Sequence, residues 1–194
     1  TLEAFMSEHI FSPLGLEDSS FYLPREKSDR LPAIYRREEG ELVLDRPAGE
    51  DFSRSTFFHG GGGVRSAPND ILKFAGLFLN GGEANGVRLL RPETVDRMMT
   101  DQLGGLAPEH WQARGLSWGF GAAVTYTETE DRSGPADRYG WVGGGFAKLW
   151  VDRNLRLVAY LNVPLTPPGD NDLLRAFERE VYSALAPGFG STMR

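Results

Sequence analysis

Apolar residues recur at helical spacing where the chain begins: Leu2, Phe5, Met6, His9 and Ile10 fall at i, i+3, i+4, i+7 and i+8, and Pro13 and Gly15 end the stripe. This predicts a first helix. No capping residue is evident ahead of it, so the chain reads as a piece of something longer. From Phe21 to Phe58 no period is sustained. Within that excursion LPAIYRREEGELVLD places Tyr35 and the run Leu42 to Leu44 on either side of Gly40, which predicts a hairpin. A second helix is predicted from Ser66 as N-cap and Pro68 in the first turn, with Ile71, Phe74, Ala75 and Phe78 on one face and Asn80 to Gly82 as its stop. Pro92, Val95, Met98 and Met99 predict a third, shorter helix.

The pattern then changes period. Trp118, Phe120, Ala122, Val124 and Tyr126 alternate with small residues and predict one strand. After the polar TETEDRSGPADR, FAKLWVD and LRLVAYLNV predict two more strands joined by a tight turn at Arg153 and Asn154. Leu173, Leu174, Phe177, Val181 and Leu185 make a closing helical stripe that ends at Pro187. Helices followed by an antiparallel meander and a final helix define an α+β class, an antiparallel sheet with packed helices, rather than alternating βαβ units.

Composition narrows the function classes. The 194 residues are 40% hydrophobic and 25% charged, enough for one core. There are no cysteines, which excludes a disulfide scaffold and thiolate chemistry and leaves the cytoplasm and the periplasm equally open. A net charge of −6 with scattered basic residues disfavours a nucleic-acid partner. No apolar run approaches the roughly 20 residues that cross a bilayer, so no membrane span is expected.

Two short motifs suggest a hydrolase. GLSWG, Gly115 to Gly119, has the Gly-x-Ser-x-Gly form of a nucleophile elbow, and HGGGG, His59 to Gly63, has the form of an oxyanion loop. The elbow needs a strand before its serine, a helix after it and a histidine further along the chain. Here the strand pattern follows Ser117, and His9, His59 and His110 all precede it. Ser117 is therefore expected to be an ordinary polar residue at a strand, and the glycines after His59 a flexible approach to Ser66.

A third glycine cluster, Gly143 to Gly145, stands at the entrance of the last hairpin, where glycine marks a close approach of backbone to a ligand or neighbour. Four stretches, FMSEHIFSPLGLEDSSF, GGGGVRSAPNDILKFAGLFLNGG, GLSWGFGAAV and YGWVGGGFAKLWVDRNLRLVAYLNV, together resemble the C-terminal part of the serine β-lactamase and penicillin-binding-protein superfamily, especially its class C-like esterases and D-alanyl peptidases. The resemblance covers nearly the whole chain, in the family's order. It implies a β-lactamase/transpeptidase-like fold whose N-terminal part is missing.

By this resemblance Trp141-Val142-Gly143 is the family's third motif, a Lys, His or Trp two residues before Gly on the strand that edges the cleft. Gly144 is the backbone oxyanion donor, and Trp141, Gly143 and Gly145 are substrate-binding. A donor fixed in a strand is worth about 3 kcal/mol to the transition state. Phe146 departs from the further glycine that relatives often carry. The family's Ser-x-x-Lys, which places nucleophile and amine on one helix face, is absent, because no serine here has a lysine three residues on. A Tyr-x-Asn match at Tyr160-Leu161-Asn162 lies in the last strand, away from that motif's place in the family.

The resemblance thus implies the C-terminal portion of a single domain: a helical and excursion part over about 1–112, and strands with a closing helix over about 113–187. It implies a serine hydrolase of small-molecule ester, amide or lactam substrates, with no cofactor and no metal, whose nucleophile lies upstream. A non-catalytic module that keeps the fold is the alternative. Loss of the N-terminal part is expected to expose a sheet edge and drive self-association.

Overall fold

A computed structural model describes residues 1–49, 58–113, 115–125, 137–143, 147–166 and 171–185. The first helix forms as predicted, in three pieces: α1 (Leu2–Met6), a wider π turn over Ser7–Phe11, and α2 (Ser12–Leu14), closed by Gly15 at φ 63°. Thr1 is the cap that sequence reading missed, its hydroxyl accepting the Ala4 N–H at 3.1 Å. The π turn rotates the apolar stripe. Leu2 and Phe5, ahead of that turn, face solvent, and Phe11 and Leu14, flanked by Met6 and Ile10, carry the packing against Leu77.

The predicted hairpin is β1 (Ile34–Glu38) and β2 (Glu41–Arg46), turned by Glu39 and Gly40, both at positive φ. The next helix, α3 (Pro68–Leu79), starts from Ala67 rather than Ser66. Ser66 is drawn elsewhere, its hydroxyl 2.7 Å from that of Ser19. Buried Asp70 in the first turn accepts the Asp18 N–H at 2.8 Å and the Ser19 hydroxyl at 3.1 Å, so the segment after α2 is tied to α3. The Asp18 carboxyl is held well below the usual carboxylate range by Arg30 and then Lys27.

After α3 come the small hairpin β3 (Glu83–Ala84) and β4 (Val87–Arg88), then α4 (Pro92–Met98) and α5 (Glu109–Gln112). The main sheet is fully antiparallel, in the order β5 (Leu116–Trp118), β6 (Ala123–Thr125), β7 (Arg138–Gly143), β8 (Ala147–Asp152), β9 (Leu157–Asn162). A short β10 (Leu165–Thr166) leaves it to pair in parallel with β1. The single strand expected from Trp118 to Tyr126 is instead the β5–β6 hairpin, and Tyr126 lies outside the described residues. The cause is a hook around the end of α4: Phe120 N–H donates to Met98 C=O at 3.0 Å, and a Cβ on Gly119 would stand 2.0 Å from that oxygen. The predicted turn at Arg153 and Asn154 spans Arg153 to Arg156, with the Asp152 carboxylate accepting the Leu155 N–H at 2.9 Å.

One face of the sheet packs Val124, Tyr139 and Val151 against Ala75 and Phe78 of α3 and Val95 of α4. The Tyr139 hydroxyl, pushed up to about 12 by burial, donates to Phe120 C=O at 2.5 Å. The other face receives α6 (Asn171–Leu185), where Trp150 and Ala159 meet Tyr182. The buried stripe of α6 is Leu174, Glu178 and Tyr182, whereas Leu173 and Leu185 of the predicted stripe are exposed. A carboxylate occupies the buried row because it is paired: Arg138 donates to Glu178, and Lys148 Nζ lies 2.5 Å from its second oxygen. Tyr182 completes the seam, accepting from Trp150 Nε1 and donating to Asp152, each at 3.1 Å.

Removing the charge from a buried pair strands its partner, at a cost of about 3–5 kcal/mol. Glu178→Gln is expected to lower unfolding free energy in urea by that order, and a loss under about 1 kcal/mol would show that the pair does not anchor α6.

Candidate functional site

The site reading centres on β7, whose two halves differ. Arg138, Tyr139 and Gly140 pair with β6 on one side and β8 on the other. From Trp141 to Gly143 the pairing among the described residues is with β8 alone, to Leu149, Lys148 and Ala147. Among the described residues the motif-bearing half is thus an edge, with one side of its backbone left without a strand partner.

Its glycines are of two kinds. A Cβ on Gly140 would stand 2.1 Å from Leu149 C=O and 2.7 Å from Trp150 Cα, so packing of β7 on β8 requires glycine. Around Gly143 the nearest such neighbour among the described residues is the Ala147 oxygen at 3.9 Å. Packing among the described residues makes no such demand there, which leaves close approach of a ligand as a physical reason for glycine. Gly144, Gly145 and Phe146, which carry the rest of the expected site, lie outside the described residues.

Trp141 is 51% exposed, far from the covered aromatic that a core role requires. Its ring stands edge-on to Trp118 with centroids 4.5 Å apart, and Trp118 contacts Trp111 of α5 at 5.6 Å. Trp111 and Trp141 line a cleft of about 320 Å³ that also reaches Leu116, Val142 and Leu174. Sequence reading used Trp118 only as a strand residue and missed Trp111, which sits on a helix of four residues with no periodic signal of its own.

The other motifs find structural uses. Ser117 has no exposed surface; it sits within β5, is followed by a turn rather than a helix, and its hydroxyl donates to Asp101. Asp101 also accepts the Leu103 and Gly104 N–H groups at 2.8 and 3.0 Å, fastening the loop after α4. Ser117 first, then these N–H groups, hold the Asp101 carboxyl below 3.8. His59 Nδ1 accepts the Gly61 N–H at 3.1 Å in a local turn, while His9 stacks against Phe5 and His110 lies edge-on to Trp111. Tyr160 and Asn162 share the sheet face of Trp141 and Gly143 in register, but β8 intervenes through Leu149 and Ala147, a separation of about 10 Å. Among the described residues no group of three or more His, Asp or Glu side chains is placed to hold a metal ion.

The antiparallel sheet flanked by helices on both faces, with a Trp-x-Gly segment at a half-open strand, defines a β-lactamase/transpeptidase-type fold. A family model described as Beta-lactamase matches residues 1–183, and the chain belongs to that family. Lovastatin esterase of Penicillium rubens is 27% identical over 94% of the chain, and an uncharacterized protein of Mycobacterium tuberculosis is 27% identical over 73% of it. The chain spans 51% and 38%, respectively, of those proteins. Among solved structures, a variant of simvastatin synthase from Aspergillus terreus superposes with a TM-score of 0.77 at 24% identity, covering 95% of this chain and 50% of that one. The octameric penicillin-binding protein homologue from Pyrococcus abyssi follows the same fold at a TM-score of 0.64 and 20% identity, covering 97% of this chain and 38% of that one. No helix among the described residues is long and apolar enough to cross a membrane.

Ser117→Ala removes the first cause of the Asp101 shift, so its titration midpoint, followed by NMR, is expected to move up toward 3.8. A carboxyl held low in the fold adds stability above its unfolded pKa and loses it as pH falls through the folded value. The stability difference between Ser117→Ala and the parent should therefore shrink below about pH 4; a difference constant down to pH 2 would contradict the pairing.

Proposed function

We propose that this chain is the C-terminal portion of a single β-lactamase-like domain, its helical and excursion part over about 1–112 and its strands and closing helix over about 113–187. The whole protein would cleave small-molecule ester, amide or lactam bonds. In this reading an upstream Ser-x-x-Lys supplies the nucleophile. The serine Oγ attacks the carbonyl carbon and its proton passes to the general base. The tetrahedral oxyanion collapses as the base returns that proton to the leaving atom, which departs from an ester or amide and stays tethered as the amine of an opened lactam, and water then hydrolyses the acyl-serine. This chain contributes the opposite wall: Gly144 N–H as oxyanion donor, Gly143 and Gly145 as clearance for the acyl group, and Trp141 as a side of the cleft.

The observation that carries this reading is that, among the described residues, β7 is half-paired and exposed Trp141 stands two residues before a glycine that packing does not demand. The name of an esterase among the relatives supports acyl chemistry over a non-catalytic module. The test compares nitrocefin and p-nitrophenyl ester hydrolysis by this chain and by the longer gene product. Turnover is expected only in the longer protein, and there Gly143→Val should lower kcat/KM by roughly tenfold to a hundredfold, about 1.4–2.7 kcal/mol. Robust turnover by the short chain, abolished by Ser117→Ala, would overturn the proposal. The chain by itself is also proposed to self-associate through surface that the N-terminal part would cover; a single monomeric boundary in concentrated sedimentation velocity runs would contradict this.

A further inference from the structure

The three indoles at this site come from three elements: Trp111 from α5, Trp118 from the end of β5, and Trp141 from β7. They form one surface, the first pair inclined by 30° and the second by 81°. Large apolar rings recruited for stability are normally covered, because each gains in proportion to the area it removes from water. Here Trp141 stays half exposed, and neither Trp111 nor Trp118 is fully buried. Trp111 and Trp141 line the cleft and Trp118 bridges them by ring contacts, and aromatic rings bordering a concave space make a binding surface. The charged groups along that space have protein partners: Glu178 takes both Arg138 and Lys148, and Asp172 takes Arg175. Ring faces and edges are the apolar contacts that this surface offers a ligand.

We propose that the Trp111–Trp118–Trp141 surface holds the apolar acyl chain of the substrate, making this protein selective for medium-chain acyl esters over acetyl esters. The inference rests on the hydrolase reading, because Trp141 is where the cleft strand and the aromatic surface meet. Trp111 is the distal end of that surface, the part that only a longer acyl chain reaches. It is a specificity residue, apart from the bond-making groups.

The test uses the longer gene product with p-nitrophenyl acetate, butyrate and octanoate. Each added methylene that the surface covers should raise kcat/KM by up to about fourfold. Trp111→Ala should lower the octanoate-to-acetate ratio of kcat/KM by roughly tenfold, mainly through KM, and Trp111→Phe should restore most of it. Tryptophan fluorescence titrated with decanoate gives a readout independent of turnover. Saturable quenching is expected in the parent, with weaker affinity in Trp111→Ala. If esters are hydrolysed and the ratio is unchanged in Trp111→Ala, this inference falls and the hydrolase reading stands. If no ester is hydrolysed, the hydrolase reading falls, and Trp111-dependent decanoate binding then supports the surface as an acyl site while its absence overturns it.

Discussion

Among the described residues β7 is gripped on both sides for its first half and on one side for its second, and the candidate site depends on that change. Gly140 marks the boundary. The absence of a side chain there lets β7 close against the backbone of β8, where a methyl group would meet Leu149 C=O and Trp150 Cα. Trp150 then fills the layer beneath α6 and bonds Tyr182, while its cross-strand neighbourhood fixes the register that carries on to Gly143. β6 begins only at Ala123, the partner of Gly140, because the chain before it hooks around the end of α4. The edge presented by Trp141 to Gly143 therefore follows from backbone contacts made elsewhere.

The clamp under α6 steadies the same strand from its other face. Glu178 is buried with two cations on its oxygens, and one of them, Arg138, belongs to β7 itself. Such a pair gains little net energy over apolar packing, yet it penalises alternative registers, because any slip strands a buried charge. Tyr182, with its phenol pushed up to about 12 by burial, adds a neutral link from Trp150 to Asp152. Strand, helix and neighbouring strand are thus locked where the site needs them rigid.

The hairpin around Gly40, whose strands hold no buried residue, was legible in the sequence through its turn, whereas periodicity made the helix over Pro68–Leu79 and the closing helix legible, because each buries one face against the sheet. It misread the stretch from Trp118 to Thr125, where alternation continues across a turn set by Met98, a residue distant in sequence. It missed Thr1 as a cap, and it placed Leu173 rather than Glu178 in the buried row, since a buried carboxylate declares itself only through its partners. Of the site, Trp141 and Gly143 were legible through the family's Trp-x-Gly pattern, while Trp111 and Trp118 required three elements to converge. The Gly-x-Ser-x-Gly match illustrates the reverse case: its glycines and serine serve a strand and a loop staple through Asp101.

The central claim is that this chain forms the non-nucleophilic wall of an acyl-transfer cleft. It is tested most directly by treating the longer gene product with a fluorophosphonate or a penicillin and locating the covalent adduct by peptide mass spectrometry. The account predicts modification of a serine upstream of Thr1, followed three residues later by lysine. An adduct on Ser117, or on any other serine within residues 1–194, would contradict it.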